Sequence, residues 1–205
     1  MNYESFRQAF ENRLMITTND VLKLFPDFET HRLNEWQAKG YIKKIINRFY
    51  IFSNNKLDEY KLAFIANRLY TPSYISLKSA LRWYNFIPEG VFQQFSICTR
   101  KTKTFETPIG VFQYRNLKPF LFFGYFPLNP EKGGFLIAEP EKAILDTFYL
   151  FPQLKDELDL ESLRLNYAEI KAVCDIEKLK KYAQVFDNQR VTKITKLLIS
   201  NLEND

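Results

Sequence analysis

Residues 35–52 read EWQAKGYIKKIINRFYIF. A polar segment anchored by Trp36 breaks at Gly40, a residue suited to the left-handed conformation of a helix stop. Beyond it, Ile42, Ile45, Phe49 and Ile51 carry strand propensity around a turn near Ile46, Asn47 and Arg48. The only charges from residue 41 to residue 52 are Lys43, Lys44 and Arg48. Cations clustered without an acid in a short aromatic hairpin repel one another unless something anionic comes near.

The segments upstream supply a frame for that hairpin. The spacing of Phe6, Ala9, Phe10 and Leu14 predicts a helix over 3–13 with one buried stripe. A second short helix follows, with Thr18 or Asn19 as its cap, Asp20 in its first turn, an apolar face at Val21, Leu22 and Phe25, and a stop at Pro26. A third runs from residue 29 or 30 to 39, anchored by Leu33 and Trp36 and otherwise polar. Three helices and then a basic two-stranded hairpin is the order of a winged helix-turn-helix. In such a domain the third helix enters the major groove, and Thr30, His31, Arg32, Asn34, Glu35 and Lys39 are the side chains from which a base-reading subset would come. The hairpin is the wing, with Lys43, Lys44 and Arg48 gripping phosphate. The plainer alternative is a small helical domain with a solvated basic hairpin.

Composition bounds the rest. A chain of 205 residues with 46% hydrophobic and 26% charged residues, only six Gly and nine Pro, is neither disordered nor fibrous. Its length suits two unequal domains, each burying a core. Twenty Phe and twelve Tyr supply core anchors, with base stacking or partner surfaces as the lesser use. The net charge of +5 is too small to require an anionic partner, but its distribution is uneven. Residues 96–118 hold Arg100, Lys101, Lys103, Arg115 and Lys118 against Glu106 alone. The opening MNYESFRQAF lacks the basic start and apolar middle of a signal peptide. PFLFFGYFPL at 119–128 falls far short of the ~20 residues that span a bilayer. Cys98 and Cys174 lie far apart and predict no disulfide framework, so a reduced, cytoplasmic protein is expected.

After the hairpin, residues 57–70 read as an amphipathic bridging helix carrying Leu62, Ile65, Ala66 and Leu69. Ser73 is read as the cap of a further helix bearing Leu77, Ala80, Leu81 and Tyr84. Strands are predicted over 92–99, 103–107, 111–114 and 121–126, forming an antiparallel sheet. Pro140 opens a helix whose first turn is favoured by Glu139 and Glu141, and helices close the chain over 160–173, 176–186 and 188–202. The expected class is α+β, with a winged helix-turn-helix over 1–54, the bridging helix over 55–70, and a C-terminal mixed domain over 71–205 with an antiparallel sheet and several helices. Arg100, Lys101 and Lys103 form a candidate second basic surface, against the alternative of a solvated hairpin tip in which lysines guard a sheet edge. Phe120, Phe122, Phe123, Tyr125 and Phe126 are read as core and sheet.

Four blocks carry a resemblance: WQAKGYIKKIINRFY in the winged helix, SYISLKSALRWYNFIPE opening the second domain, TRKTKTFETPIGVFQYRNL in its sheet and AEPEKAILDTFYL at the later helix. In this order the chain resembles AbiEi-type antitoxins. The resemblance implies a DNA-binding repressor of its own operon, the antidote half of a type IV toxin–antitoxin pair whose toxin is nucleotidyltransferase-like and is countered without a stable complex. Asn47 and Arg48 stand where the family's wing often turns through Arg-Gly, which displaces the wing's arginine by one position. The last fifty residues match only loosely and inherit no function.

An enzyme is the rival class. His31 is the only histidine and sits on the predicted recognition helix, so neither a histidine-rich metal site nor a Ser/His/Asp triad is built without it. DELDLES, with Asp156 and Asp159, lacks a preceding Gly-Ser pair and reads as solvated charge. Glu139, Glu141 and Asp146 in EPEKAILD suggest a nuclease only until helix initiation accounts for the Pro and Glu order. No glycine-rich phosphate loop is present. The expectation is therefore a non-catalytic protein with no metal and no cofactor, whose partners are double-stranded operator DNA and, functionally, a toxin. An orphan winged-helix regulator with no toxin is the alternative.

Overall fold

The computed structural model describes residues 1–204 except Glu89, Val91, Phe92, Pro130 and Lys132. The first fifty residues form α1 (Tyr3–Phe10), β1 (Ile16–Thr17), α2 (Thr18–Leu24), α3 (His31–Ala38), β2 (Ile42–Ile46) and β3 (Phe49–Phe52). The three strands make an antiparallel sheet in the order β1-β3-β2. α1 is shorter than predicted and stops at Phe10, so Leu14 lies outside it. The cap of α2 is Thr17 rather than Thr18 or Asn19. Thr17 Oγ1 accepts from the Asp20 backbone N–H, while the Asp20 carboxylate accepts from the Thr17 backbone, a reciprocal capping box. Gly40 stops α3 with φ +72°, as its position predicts.

One core of this unit is aromatic. Phe6, Phe10, Phe28, Trp36 and Phe52 surround Ile16, Val21, Leu33, Ile42 and Tyr50. Alternation along the strands decides what faces it. Ile42, Tyr50 and Phe52 point into this core, whereas Ile45 and Ile51 point the other way and belong to the larger core, together with Met15. The small sheet is thus buried on both faces.

The remainder holds α4 (Glu59–Leu69), β4 (Ser73–Ile75), α5 (Leu77–Trp83), β5 (Gln93–Cys98), β6 (Lys103–Thr107), β7 (Gly110–Asn116), a 3₁₀ turn (Pro119–Leu121), β8 (Tyr125–Leu128), β9 (Phe135–Ala138), α6 (Pro140–Leu150), α7 (Glu157–Glu161), α8 (Tyr167–Val173), α9 (Ile176–Val185) and α10 (Gln189–Asn204). Six strands pair in the order β6-β7-β5-β4-β9-β8. The sheet is mixed, not antiparallel as predicted: β5 runs parallel to β7 and β4 parallel to β9. Ser73 begins β4 rather than capping a helix, and α5 starts after Ser76. The strand predicted over 121–126 is replaced by the 3₁₀ turn and β8, and Phe92, assigned to a strand from the sequence, lies outside the described residues. The helix predicted over 160–173 divides into α7 and α8, and β9 was not anticipated.

α4 buries Ala63, Ile65, Ala66 and Leu69 in the larger core and packs on β4, β5 and β9. Phe120 is 61% exposed and Phe126 36%, so these two aromatics are not core, while Phe122, Phe123 and Tyr125 pack against it. Cys98 and Cys174 are both buried and unbridged. No helix among the described residues is long and apolar enough to cross a membrane.

Because Ile51 fills the larger core from the small sheet, Ile51→Ala should lower unfolding stability by about 2–5 kcal/mol and shift a single cooperative urea transition. A second, separate transition in which only the first fifty residues melt would show instead that the two cores are independent.

Candidate nucleic-acid interface

α3 and the β2–β3 hairpin are placed by the same few residues. Trp36 and Leu33 anchor α3 in the aromatic core, and the backbone of Tyr41 donates to the Trp36 carbonyl at 2.9 Å, so β2 leaves α3 directly. The backbone N–H of Thr18, at the start of α2, donates to the Arg48 carbonyl at 3.0 Å and pins the hairpin turn. The left-handed residue of that turn is Arg48 (φ +70°), not Asn47. A side chain with a Cβ stands where glycine fits without cost, and the conformation is disfavoured by about 1–2 kcal/mol for an L-residue.

The predicted contact residues differ in availability. Thr30, His31, Asn34 and Lys39 are exposed on α3 or its ends, and Lys43 and Arg48 are exposed on the hairpin, while Lys44 is half-buried. Arg32 is already engaged: its Nε lies 3.1 Å from a Glu29 carboxylate oxygen, and its Nη1 donates to the Met1 carbonyl at 2.9 Å. His31 Nε2 lies 3.5 Å from Glu35. His31 and Arg32 thus each have an acid beside them, which leaves Asn34, with Thr30 and Lys39 at the helix ends, uncommitted among the predicted side chains of α3, and the hairpin as the source of net positive charge.

The structure brings the two basic segments of the sequence together. β2 lies against β6, the edge strand that follows Arg100 and Lys101. The Arg100 guanidinium sits 4.2 Å from the centre of the Tyr70 ring and donates to the Thr71 carbonyl at 3.3 Å. Lys103 Nζ is 4.6 Å from the Phe105 ring centre. The Lys101 carbonyl accepts from Tyr70 Oη at 3.1 Å. Tyr70, Phe105 and Tyr114 meet edge to face, giving these cations an aromatic footing.

The acidic residues of the rival reading have structural partners. Asp156 caps α7 by accepting from the Asp159 backbone at 3.1 Å. Glu139 accepts from Tyr182 Oη at 2.7 Å, and Glu141 from the Asp175 backbone at 2.8 Å, while Lys178 Nζ lies 3.2 and 3.3 Å from these two carboxylates. Asp146 belongs to a group that sequence reasoning missed. Its carboxylate is paired with Lys142, one turn earlier on α6, and accepts from Tyr74 Oη at 2.9 Å and Ser76 Oγ at 2.8 Å; Lys142 also donates to Tyr74 Oη at 2.9 Å. All four residues are fully buried. Burial pushes the Asp146 carboxyl up and the Lys142 ammonium down, each opposed by the other's charge. The signal in the sequence was the i, i+4 spacing of KAILD. The network joins β4 to α6 and is enclosed by Phe123 and Phe186, so it reaches no solvent.

No protein-family model matches the sequence, and no curated protein is significantly similar to it.

Two experiments test these assignments. Arg48→Gly should raise stability by about 0.5–1 kcal/mol, since relief of the left-handed strain exceeds the roughly 0.4–1 kcal/mol of chain entropy that glycine adds to the unfolded state; thermal unfolding that shows a loss would contradict the strain. Lys142→Met alone should cost about 3–5 kcal/mol by stranding Asp146, and Lys142→Met with Asp146→Leu distinctly less. Additive losses in that denaturation cycle would mean that the pair is not coupled.

Proposed function

We propose that this protein is a winged-helix DNA-binding antitoxin of the AbiEi type that represses its own operon and counters a nucleotidyltransferase-like toxin, and that it is not itself an enzyme. The observation that carries the reading is the element order of the first fifty residues, helix, strand, two helices and a hairpin, with Lys43 and Arg48 exposed on the hairpin and Asn34 exposed on the preceding helix. In this arrangement α3 occupies the major groove and the hairpin the adjacent backbone. Asn34 has the geometry for a bidentate contact to adenine, worth about 1–3 kcal/mol of discrimination. Lys43, Lys44 and Arg48 release counterions from phosphate, and the Arg100, Lys101 and Lys103 surface continues the positive strip beside β2.

Arg32 takes a different part. Its bonds to Glu29 and Met1 make it a brace between the chain start and α3, so its replacement weakens the domain before it alters base preference. His31 and Lys39 remain available at opposite ends of the helix, the first beside a carboxylate and the second beside the helix C-terminus, where a cation is favoured. The toxin half of the reading rests on the resemblance of the four sequence blocks.

Co-expression with the neighbouring open reading frame, combined with a reporter under the chain's own upstream region, separates the two activities. The full chain should restore growth and repress the reporter, whereas Lys43→Ala with Lys44→Ala should lose most repression, at least about tenfold from lost phosphate contacts at physiological salt, and still restore growth. A harmless neighbour, or no rescue by the wild type, would leave the orphan-regulator reading in its place.

A further inference from the structure

α9 and α10 leave a groove between them that the preceding assignments do not use. Its volume is about 360 Å³, and its lining follows one stripe of α10, from Thr192 to Glu203, with the facing turn of α9. The floor is apolar and shallow because Ala183 is small, and Ile199 closes it. Thr195 lies in the floor at 3% exposure, and its hydroxyl has no hydrogen-bond partner among the described residues. A buried hydroxyl left unpaired beside an open apolar groove marks a surface that something else completes.

The charges on the rim indicate what that is. Lys196 and Glu203 lie on the same stripe, seven residues apart and both exposed, with Ile199 and Ser200 midway between them. If a second α10 lies antiparallel across the first about a two-fold axis at Ile199 and Ser200, Lys196 of each copy faces Glu203 of the other. The same register sets Ser200 opposite Ile199, small against large. A two-fold interface must be self-complementary in this way.

We propose that the α9–α10 face is a self-association surface on which two copies of this chain form an antiparallel four-helix contact. The stripe is only about 16 Å long at 1.5 Å per residue, well below what the ~800 Å² per partner of a stable interface requires. The dimer is therefore weak and concentration-dependent. Its formation does not depend on the DNA-binding reading, because it occurs without DNA.

Sedimentation velocity of the full chain without DNA, over roughly 10–500 μM, the range where weak interfaces populate, reads this directly. The wild type should pass from one to two copies as concentration rises. Lys196→Glu places acid against acid at both ends of the axis and should weaken association by at least roughly twofold to thirtyfold, given about 0.2–1 kcal/mol for each of the two exposed pairs. Lys196→Glu with Glu203→Lys restores opposite charges and should bring association back. Glu203 also lies near Lys180 of its own chain, so the rescue, more than either single change, carries the result. A wild type that stays monomeric throughout, or single and double variants that associate alike, would overturn the proposal.

Discussion

The two-sided burial of the small sheet is the constraint on which the rest depends. Ile42, Tyr50 and Phe52 close the aromatic core beneath α1 and α3, while Ile45 and Ile51 enter the larger core from the opposite face. The β2–β3 hairpin is held on both faces, so the orientation of Lys43 and Arg48 relative to α3 is set by packing and not by a flexible loop. The same burial lays β2 against β6 and turns two basic segments far apart in sequence into neighbours. In the proposed DNA complex, a hairpin held in this way would lose little loop entropy when its cations meet phosphate, which would favour binding at a given charge count.

The larger unit is organised around α6, which ties the sheet to the C-terminal helices. Its buried Lys142–Asp146 pair holds Tyr74 and Ser76 on the adjoining strand and loop. Gly124, at φ +67°, comes so close to this helix that an added Cβ would meet Tyr182 at 3.0 Å and Lys142 at 3.2 Å, and its carbonyl accepts from the Glu139 backbone at 2.9 Å. At the other end, the Arg190 guanidinium donates to the carbonyls of Phe148, Tyr149, Phe151 and Leu154. The last turn of a helix leaves such carbonyls short of partners, though Phe151 also accepts from the Leu154 backbone at 3.1 Å, and a cation there meets the negative end of the dipole. The burial of Lys142, Asp146 and Tyr74 is tolerated because each is matched.

Features governed by local chemistry were legible in the sequence. Gly40 stops α3 and Pro140 opens α6 where their residue types predict, and the apolar spacing of Leu33 and Trp36 identifies the buried face of α3. Three cap-capable residues in succession blurred the start of α2, where the three-residue spacing from Thr17 to Asp20 decides. β4 and β9 are short, wholly or largely apolar runs, for which periodicity does not separate strand from helix. Parallel pairing and the approach of β2 to β6 are tertiary choices with no local signature. Among the candidate contacts, exposure of Asn34 and Lys43 followed from helix and strand patterning, whereas the engagement of Arg32 by Met1 joins residues 31 positions apart and was not readable.

The proposed DNA binding rests on the hairpin as a phosphate clamp. The direct measurement is a salt titration of duplex binding by fluorescence anisotropy, comparing the full chain with Lys43→Ala/Arg48→Gly on its own upstream region and on a scrambled duplex. Each lost phosphate contact should flatten the dependence of log K on log salt by roughly 0.9, so the double variant should lose about 1.8 and weaken on both duplexes alike. An unchanged slope with wild-type affinity would show that these cations are only solvated, and would remove the winged-helix reading of EWQAKGYIKKIINRFYIF.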